Sequence, residues 1–271
     1  MLNTGARRQD ATLHEFRVAL LCSRRAPGLP HLLDAAQATS WRIAVGVTSD
    51  PESEAPGLLE AAGVPAPVHD ITTFYRARGA RLSDLGARQD YDRATVDLLH
   101  PFRPDLIVLC GYLHVATAPL LEAHPNRIIN VHDSDLAIVD GDGLPKYRGL
   151  RSTRDAIFAG EPETRSSVHL VTPQLDVGPL LVRSWAFPTH PLIQNARIWG
   201  ATDILKAYAY AQREWMMRAA WGPLLARAID LFAHGEVRVY GDRVVVGGSL
   251  GPEELEPDRE REPAVLAGMG D

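Results

Sequence analysis

Between residues 16 and 184, short runs of β-branched and aliphatic residues alternate with longer amphipathic stretches. This alternation is typical of strands joined by crossover helices. The sequence therefore predicts an α/β fold with a Rossmann-like, mostly parallel sheet flanked by helices. Six strands are expected, at residues 17–22, 43–48, 106–110, 127–131, 167–171 and 180–185. A sheet of this kind places its ligand crevice at the carboxyl ends of the parallel strands.

The remaining pattern divides the chain into three parts. A flexible N-terminus is expected at residues 1–15, one domain at 16–250, and a disordered acidic tail at 251–271. Apolar residues at helical spacing predict a helix at 91–99 that Pro101 ends. The domain becomes helical from about residue 197, with a break at Pro223 and the tryptophans in the core. Gly235 then caps the last helix before a hairpin at 236–246.

Composition excludes several classes of protein. The 271 residues are 45% hydrophobic and 23% charged, with a formal net charge of −6. No apolar stretch is long enough to cross a bilayer and no signal peptide precedes the first strand, so a cytoplasmic protein without membrane contact is expected. Nucleic acid is not expected as a partner, because such proteins usually carry a basic surplus. The oligomeric state stays open, with a homodimer among the options.

Two cysteines, Cys22 and Cys110, each end a short apolar run that predicts a buried strand. Packed and reduced thiols are the expected state. Neither cysteine has the spacing of a metal ligand, and no metal is expected.

The first candidate for chemistry is a pair of polar residues at a strand end. Asn130 and His132 are two residues apart in the predicted strand at 127–131, so their side chains should share one face. A carboxamide and an imidazole at a strand end suit a catalytic site. A structural histidine and a helix-capping asparagine are equally good interpretations of the pair alone.

Five motifs around this pair resemble the folate-dependent formyltransferase family, which includes a glycinamide ribonucleotide branch and a methionyl-tRNA and sugar branch. In order along the chain they are PDLIVLCGY at 104–112, NVH at 130–132 with Ser134, LPKYRG at 144–149, SVHLVT at 167–172 and LDVGP at 175–179. The resemblance covers roughly residues 17–235. It implies the formyltransferase fold and a formyl group supplied by the co-substrate 10-formyltetrahydrofolate.

The resemblance also implies roles for particular residues. Asn130, His132 and Asp176 would be catalytic: the amide and a protonated imidazole would donate to the oxyanion formed when an amine attacks the formyl carbon, and Asp176 would collect the amine proton. The neighbouring carboxylate would favour the imidazolium. The folate would lie against the main chain of six residues, namely Gly111, Tyr112, Leu113, Val171, Thr172 and Leu175.

The acceptor side departs from the family. Where the glycinamide ribonucleotide branch has a glycine-rich phosphate loop after the first strand, this chain has Ser23, Arg24 and Arg25 followed by Pro27. Nine residues, 135–143, stand between Ser134 and Leu144 where the family usually has one, and they are expected to border the acceptor side of the crevice. The family's proline after the histidine is Asp133. The six candidate acceptor-binding residues are Ser23, Arg24, Arg25, Ser134, Lys146 and Arg148.

The sequence leaves three functions open. The first is formyl transfer to a small-molecule amine, such as a glycinamide ribonucleotide-like compound, an amino sugar or another metabolite. The second is hydrolysis of 10-formyltetrahydrofolate, because related hydrolases share the same three residues. The third is a binding or regulatory protein without turnover, which the complete catalytic set disfavours. A tRNA acceptor is not expected, because no basic C-terminal domain follows Gly235.

Overall fold

The structure is a computed structural model that describes residues 15–241 and 243–257. The strands are β1 (Phe16–Cys22), β2 (Trp41–Thr48), β3 (Leu106–Leu109), β4 (Ile128–His132), β5 (Glu163–Thr164), β6 (Ser167–Leu170), β7 (Leu180–Arg183), β8 (Phe187–Pro188), β9 (Val237–Tyr240), β10 (Arg243–Val246), β11 (Ser249–Leu250) and β12 (Glu253–Glu254). The helices are α1 (Leu29–Ala35), α2 (Ala55–Ala61), α3 (Ile71–Ala77), α4 (Leu85–Leu99), α5 (Ala118–Ala123), α6 (Ser152–Ala159), α7 (Leu192–Ile198) and α8 (Thr202–Ala233).

The central sheet has seven strands in the order β12-β7-β6-β4-β3-β1-β2. The pairs β1–β2, β1–β3, β3–β4 and β7–β12 are parallel, whereas β6 runs antiparallel to both β4 and β7. The predicted mostly parallel α/β fold is confirmed, and each of the six predicted strands lies within two residues of its expected bounds.

Helices cover both faces of this sheet. Val18, Leu20 and Cys22 of β1 join a core cluster that includes α1 and α8, while Ala19 and Leu21 join a second cluster that includes the end of α4. Because strand side chains alternate between the two faces, a strand that is covered on both faces has an unbroken apolar sequence. Cys22 and Cys110 are buried and free, as predicted.

Helix α4 begins six residues before the predicted start, where the side chain of Asp84 accepts a hydrogen bond from the backbone N–H of Ala87. An aspartate at this position satisfies one of the unpaired amides of the first turn. The helix ends at Leu99, and Pro101 follows in a short 3-10 turn. The predicted end of this helix is therefore confirmed.

The predicted break at Pro223 is wrong, because α8 runs without interruption from Thr202 to Ala233. Proline inside a helix costs about 3 kcal/mol. Helix α8 tolerates the proline because the central part of the helix is buried. Gly222 packs so closely against α1 that an added Cβ would lie 2.5 Å from the Cβ of His31. The prediction that Trp199, Trp215 and Trp221 lie in the core holds for Trp221, which is buried, but Trp199 is 86% exposed and Trp215 is 40% exposed.

The C-terminal cap and hairpin follow the sequence prediction. The N–H of Gly235 donates to Phe232 and that of Glu236 donates to Leu231, at 3.0 and 2.8 Å, which is the Schellman arrangement. Strands β9 and β10 then form the hairpin.

The prediction of a disordered tail from Gly251 is wrong for residues 251–257. Strand β12 adds to the edge of the central sheet beside β7. Arg227 makes a bidentate contact of 2.7 and 2.8 Å with Glu253, and Arg183 donates to Glu254 at 2.6 Å. The acidic residues that suggested disorder are thus the partners of arginines on the folded domain. Residues 258–271 of the predicted tail, and residues 1–14 of the flexible N-terminus predicted at 1–15, lie outside the described residues.

Candidate active site

A cleft of about 280 Å³ opens beyond the carboxyl ends of β3 and β4. Three segments form most of its walls: the loop after β3, the end of β4, and the loop between β6 and β7. The lining residues are Leu109, Gly111, Tyr112, Leu113, His114, Val115, Ala116, Asn130, Val131, His132, Asp133, Gly149, Leu150, His169, Val171, Thr172, Leu175, Asp176, Arg213 and Trp221. All three predicted catalytic residues and all six predicted folate-contacting residues are among them.

Strand β4 brings Asn130 and His132 to the cleft, so the predicted shared face is confirmed. His132 is buried, and its Nε2 lies 3.3 Å from the carbonyl oxygen of Tyr147. Its Nδ1 lies 3.7 Å from Oδ2 of Asp176. Both ring nitrogens therefore face oxygen atoms at distances longer than a tight hydrogen bond, which leaves room for a third partner in the cleft.

Asp176 reaches the same point from the loop between β6 and β7. Its backbone has φ of 54°, in the left-handed region that few residues other than glycine adopt. Its Oδ2 accepts a hydrogen bond of 2.7 Å from the backbone N–H of Gly149, and its side chain is buried. Strain of this kind persists only where surrounding contacts enforce it, and it concentrates at functional sites.

His169 is a member of the site that the sequence prediction missed. It is the register partner of Asn130 across the β4–β6 pair, and its Nε2 lies 3.2 Å from Nδ2 of Asn130. Its Nδ1 donates to the carbonyl of Leu170 at 2.9 Å, so Nε2 is the acceptor for the Asn130 amide. Burial and the nearby His132 lower the pKa of His169 to about 4, so the ring is neutral at pH 7. Its signals in the sequence were an imidazole inside a predicted strand and a place in the SVHLVT motif at 167–172.

Close backbone packing fixes the two loops that border the cleft. An added Cβ on Gly178, two residues after Asp176, would lie 1.8 Å from the carbonyl oxygen of Leu170. Gly111 has φ of 73°, and an added Cβ there would lie 2.2 Å from the carbonyl oxygen of Arg25. Glycine is required at both positions because no side chain fits.

A buried charged network supports the wall formed by Tyr112. One terminal nitrogen of Arg88 lies 2.6 Å from Asp92 and 2.9 Å from the Tyr112 hydroxyl. Nε of Arg88 donates to the carbonyl of Val115 at 2.7 Å, and Asp92 accepts two hydrogen bonds from Thr117. Burial raises the pKa of the Asp92 carboxyl, while the charge of Arg88 opposes that rise. The network holds the loop after β3 against α4.

The six predicted acceptor-binding residues do not line the cleft. Arg24 pairs with Glu52 at 2.7 Å, and Arg25 makes a bidentate contact of 2.7 and 2.8 Å with Glu214 of α8. Ser23 is buried, where its hydroxyl accepts from the N–H of Leu113 at 3.1 Å.

The other three residues of this group also have protein partners. Ser134 donates to the carbonyl of Tyr147 at 2.6 Å, Lys146 lies 3.4 Å from Glu161, and Arg148 lies 3.8 Å from Asp140. Sequence alone could not reveal these partners, because every one of them comes from another part of the chain. The structure therefore gives no support to the predicted acceptor set.

The acidic insertion at 135–143 is likewise absent from the cleft lining. Asp135 is buried and accepts from Arg183 at 3.1 and 2.6 Å. Asp140 closes a turn by accepting from the N–H groups of Asp142 and Leu144, both at 3.0 Å. Two of the three carboxylates thus have structural partners, so the expectation that the insertion borders the acceptor finds no support in these contacts.

Within residues 15–241 and 243–257, no helix is long and apolar enough to span a membrane. The same residues contain no cluster of three or more histidine, cysteine, aspartate or glutamate side chains placed to hold a metal ion.

A mostly parallel sheet with a cleft at the carboxyl ends of its strands is the arrangement of α/β enzyme folds. Comparison with known proteins gives the family: the chain belongs to the formyl transferase family, whose profile matches residues 16–189. The resemblance found in the five sequence motifs is thereby confirmed.

Similar proteins fall into two groups. The chain is 26% identical over 169 residues to the phosphoribosylglycinamide formyltransferase of Escherichia coli (strain K12), covering 62% of this chain and 72% of that protein. It is 25% identical over 159 residues to the formyltetrahydrofolate deformylase of Haemophilus influenzae, covering 59% of this chain and 49% of the relative. The crystal structure of glycinamide ribonucleotide transformylase 1 from Symbiobacterium toebii is similar at a TM-score of 0.65 and 26% identity, covering 86% of this chain and 94% of that one.

Proposed function

We propose that this enzyme transfers a formyl group from 10-formyltetrahydrofolate to the amino group of a small-molecule acceptor. The observation that carries the proposal is the convergence of Asn130, His132 and Asp176 on one point of the cleft, from two separate segments of the chain. These three side chains supply a neutral donor, an imidazole and a carboxylate, which together match the requirements of acyl transfer to an amine.

Asn130 and His132 would act on the formyl oxygen. When an amine attacks the formyl carbon, that oxygen gains negative charge and needs preorganised hydrogen-bond donors. One N–H of the Asn130 amide is directed to His169, which fixes the carboxamide plane and leaves the second N–H available. His132 would donate an N–H to the same formyl oxygen; its two ring nitrogens lie 3.3 Å from the Tyr147 carbonyl oxygen and 3.7 Å from the Asp176 carboxylate.

Asp176 would handle the proton of the attacking amine. Its Oδ2 is held by the N–H of Gly149 at 2.7 Å. A carboxylate fixed in this way can accept the amine proton directly or through a water molecule. The reaction breaks the bond between the formyl carbon and N10 of the folate, forms the new amide, and returns the proton to N10.

The donor would occupy the wall made by Gly111, Tyr112, Leu113 and the stretch from Val171 to Leu175. This part of the cleft combines apolar side chains with main chain that glycine residues hold in place, which suits a planar pterin recognised through backbone groups. We place the activity in the cytoplasm, with neither nucleic acid nor metal required.

Hydrolysis of 10-formyltetrahydrofolate is the second candidate, because formyltetrahydrofolate deformylases are among the similar proteins at about the same identity as the formyltransferases. In that reaction water would replace the amine while the same three residues act. The chain spans about half the length of those deformylases.

One assay separates the two candidates. Release of tetrahydrofolate from 10-formyltetrahydrofolate is followed with and without a panel of amines, and formylated product is detected by mass spectrometry. Amine-dependent release with a formylated amine supports the transferase. Release at the same rate without any amine supports the hydrolase, and no release in either case contradicts both.

A further inference from the structure

Arg213 is the one lysine or arginine among the cleft-lining residues in the part of the chain that the structure describes. It stands on α8, and its Nε donates to Oδ2 of Asp133, the residue that follows His132 in the chain. No hydrogen bond joins its two terminal nitrogens to a residue within the described ranges. The two terminal nitrogens of this guanidinium, which can donate side by side to one partner, are thus left for another group.

Asp133 holds the guanidinium in a defined orientation. Its Oδ1 accepts from the hydroxyl of Ser152 at 3.0 Å, and its backbone carbonyl accepts from Thr153 at 2.6 Å, so the start of α6 fixes it in place. The Asp133 side chain is 6% exposed, whereas that of Arg213 is 30% exposed. The carboxylate of Asp133 is therefore buried, whereas the guanidinium of Arg213 is partly exposed. This is a geometry that can recognise an oxyanion.

Trp221 provides a second donor on the same helix and in the same cleft. The residue is 5% exposed, and its indole Nε1–H is buried without a hydrogen-bond partner among the described residues. A buried N–H with no partner costs free energy, and natural proteins rarely leave one unless a ligand or water satisfies it.

The loop after β1 leaves no competing basic site. Arg24 forms an ion pair with Glu52, and Arg25 forms one with Glu214. Helix α1, which follows this loop, is only seven residues long. The cationic group next to the catalytic residues is therefore Arg213 on the C-terminal helix, 81 residues beyond His132.

We propose that Arg213 binds an anionic group of the acceptor, a carboxylate or a phosphate, and so selects amines that carry one. This proposal rests on the proposed formyl transfer. The acceptor's oxyanion would accept hydrogen bonds from the terminal nitrogens of Arg213, while its amine reaches the formyl carbon beside Asn130 and His132.

Direct binding of small anions tests the site without knowledge of the acceptor. Inorganic phosphate and acetate are titrated by calorimetry into the wild-type enzyme, Arg213→Gln and Arg218→Gln. Arg218 is the matched control, because it lies on the same helix, is 78% exposed and does not line the cleft. At least one anion should bind wild type and the control equally, and Arg213→Gln about tenfold or more weakly. Equal binding by all three proteins, or binding to none, overturns the proposal.

Acceptor choice is then measured with matched pairs of amines that differ in one charged group: glycine against glycinamide, and 2-aminoethyl phosphate against ethanolamine. Wild type should favour an anionic member by about tenfold or more in kcat/KM, Arg213→Gln should lose that preference, and Arg213→Lys should keep part of it. The KM for 10-formyltetrahydrofolate should stay within a few-fold. A raised folate KM with unchanged amine preference would assign Arg213 to the donor and overturn the proposal.

One further variant guards against misfolding, and two outcomes separate this proposal from the proposed formyl transfer. The double variant Asp133→Asn with Arg213→Gln removes both charges of the pair, so no buried carboxylate is left unpaired, and it should lose anion binding while still showing a cooperative melting transition. If no amine raises tetrahydrofolate release but phosphate or acetate binding depends on Arg213, formyl transfer fails and the anion site stands. If amines are formylated without regard to charge, formyl transfer stands and the anion site fails.

Discussion

Asn130 and His169 are register partners on adjacent antiparallel strands, and the Asn130 Nδ2 lies 3.2 Å from the His169 Nε2. The histidine is neutral, with its own Nδ1–H directed to the Leu170 carbonyl. This relationship turns the amide of Asn130 into a donor with a fixed direction. The His169 imidazole thus fixes the direction of the amide of a candidate catalytic residue.

Removing the imidazole or the carboxylate of the candidate site should reduce turnover. We expect His132→Ala and Asp176→Asn each to lower kcat by about a hundredfold or more, because they act on charge that develops in the transition state. The KM for 10-formyltetrahydrofolate should change by no more than a few-fold. Steady-state kinetics check this, with His124→Ala, outside the cleft, as the control. Near-normal kcat in either variant would remove these residues from the mechanism.

Changing His169 should affect catalysis through Asn130 alone. His169→Leu removes the acceptor for the Asn130 amide, so we expect kcat to fall about tenfold or more with folate KM nearly unchanged. His169→Gln retains an acceptor oxygen and should recover part of the loss. Equal activity of the Leu and Gln variants would show that His169 serves packing and does not position Asn130.

His169 should also make the fold sensitive to acid. Its folded-state pKa of about 4 lies below the ordinary histidine value, so the unfolded chain binds a proton between about pH 6.5 and 4 while the native protein does not. Stability should therefore fall as pH drops through that window, with this residue contributing on the order of 2–3 kcal/mol in total. Urea unfolding at several pH values should give a shallower loss for His169→Gln. An identical slope in both proteins would contradict the buried neutral imidazole.

Gly178 should be required for the position of Asp176. An added methyl group would collide with the Leu170 carbonyl, so Gly178→Ala should displace the loop and lower both kcat and the melting temperature. Gly57→Ala is the matched control, because Gly57 lies in helix α2 with nothing within 4 Å of the added Cβ, and there alanine should be neutral or stabilising. Thermal denaturation compares the two. Similar behaviour of both variants would argue against the close contact.

The buried pair of Arg88 and Asp92 should matter far more than an exposed pair on the same helix. Asp92→Ala leaves a buried guanidinium without its partner and should cost about 3–5 kcal/mol in the free energy of unfolding. Asp90→Ala removes the exposed contact with Arg93 and should cost less than about 1 kcal/mol. Chemical denaturation of both variants measures the difference. A loss below about 1 kcal/mol for Asp92→Ala would show that the network does not stabilise the loop at Tyr112.

Local patterns in the sequence were enough for the six main strands of the sheet, and local patterns with the motif resemblance were enough for three residues of the candidate site. Strand positions followed from unbroken apolar runs, because a sheet covered on both faces demands them at every residue. Asn130 and His132 were recognisable since a strand repeats every two residues, and the motif resemblance pointed to Asp176. The predicted break at Pro223 was wrong because the packing of α8 on the sheet outweighs the free-energy cost of a proline inside a helix. Only that local cost is visible in the sequence.

The sequence by itself thus determined the α/β fold, the family and the pair of polar residues at the end of β4. Only the tertiary structure decided which side chains remain available in the cleft. Arg24 and Arg25 seemed free and are paired, whereas Arg213 faces the candidate catalytic residues from a distant helix, and His169 orients Asn130 across a strand pair. The physical reason is that secondary structure depends on near neighbours in the chain, while the ion pairs and hydrogen bonds that engage or release a side chain join residues brought together only by folding.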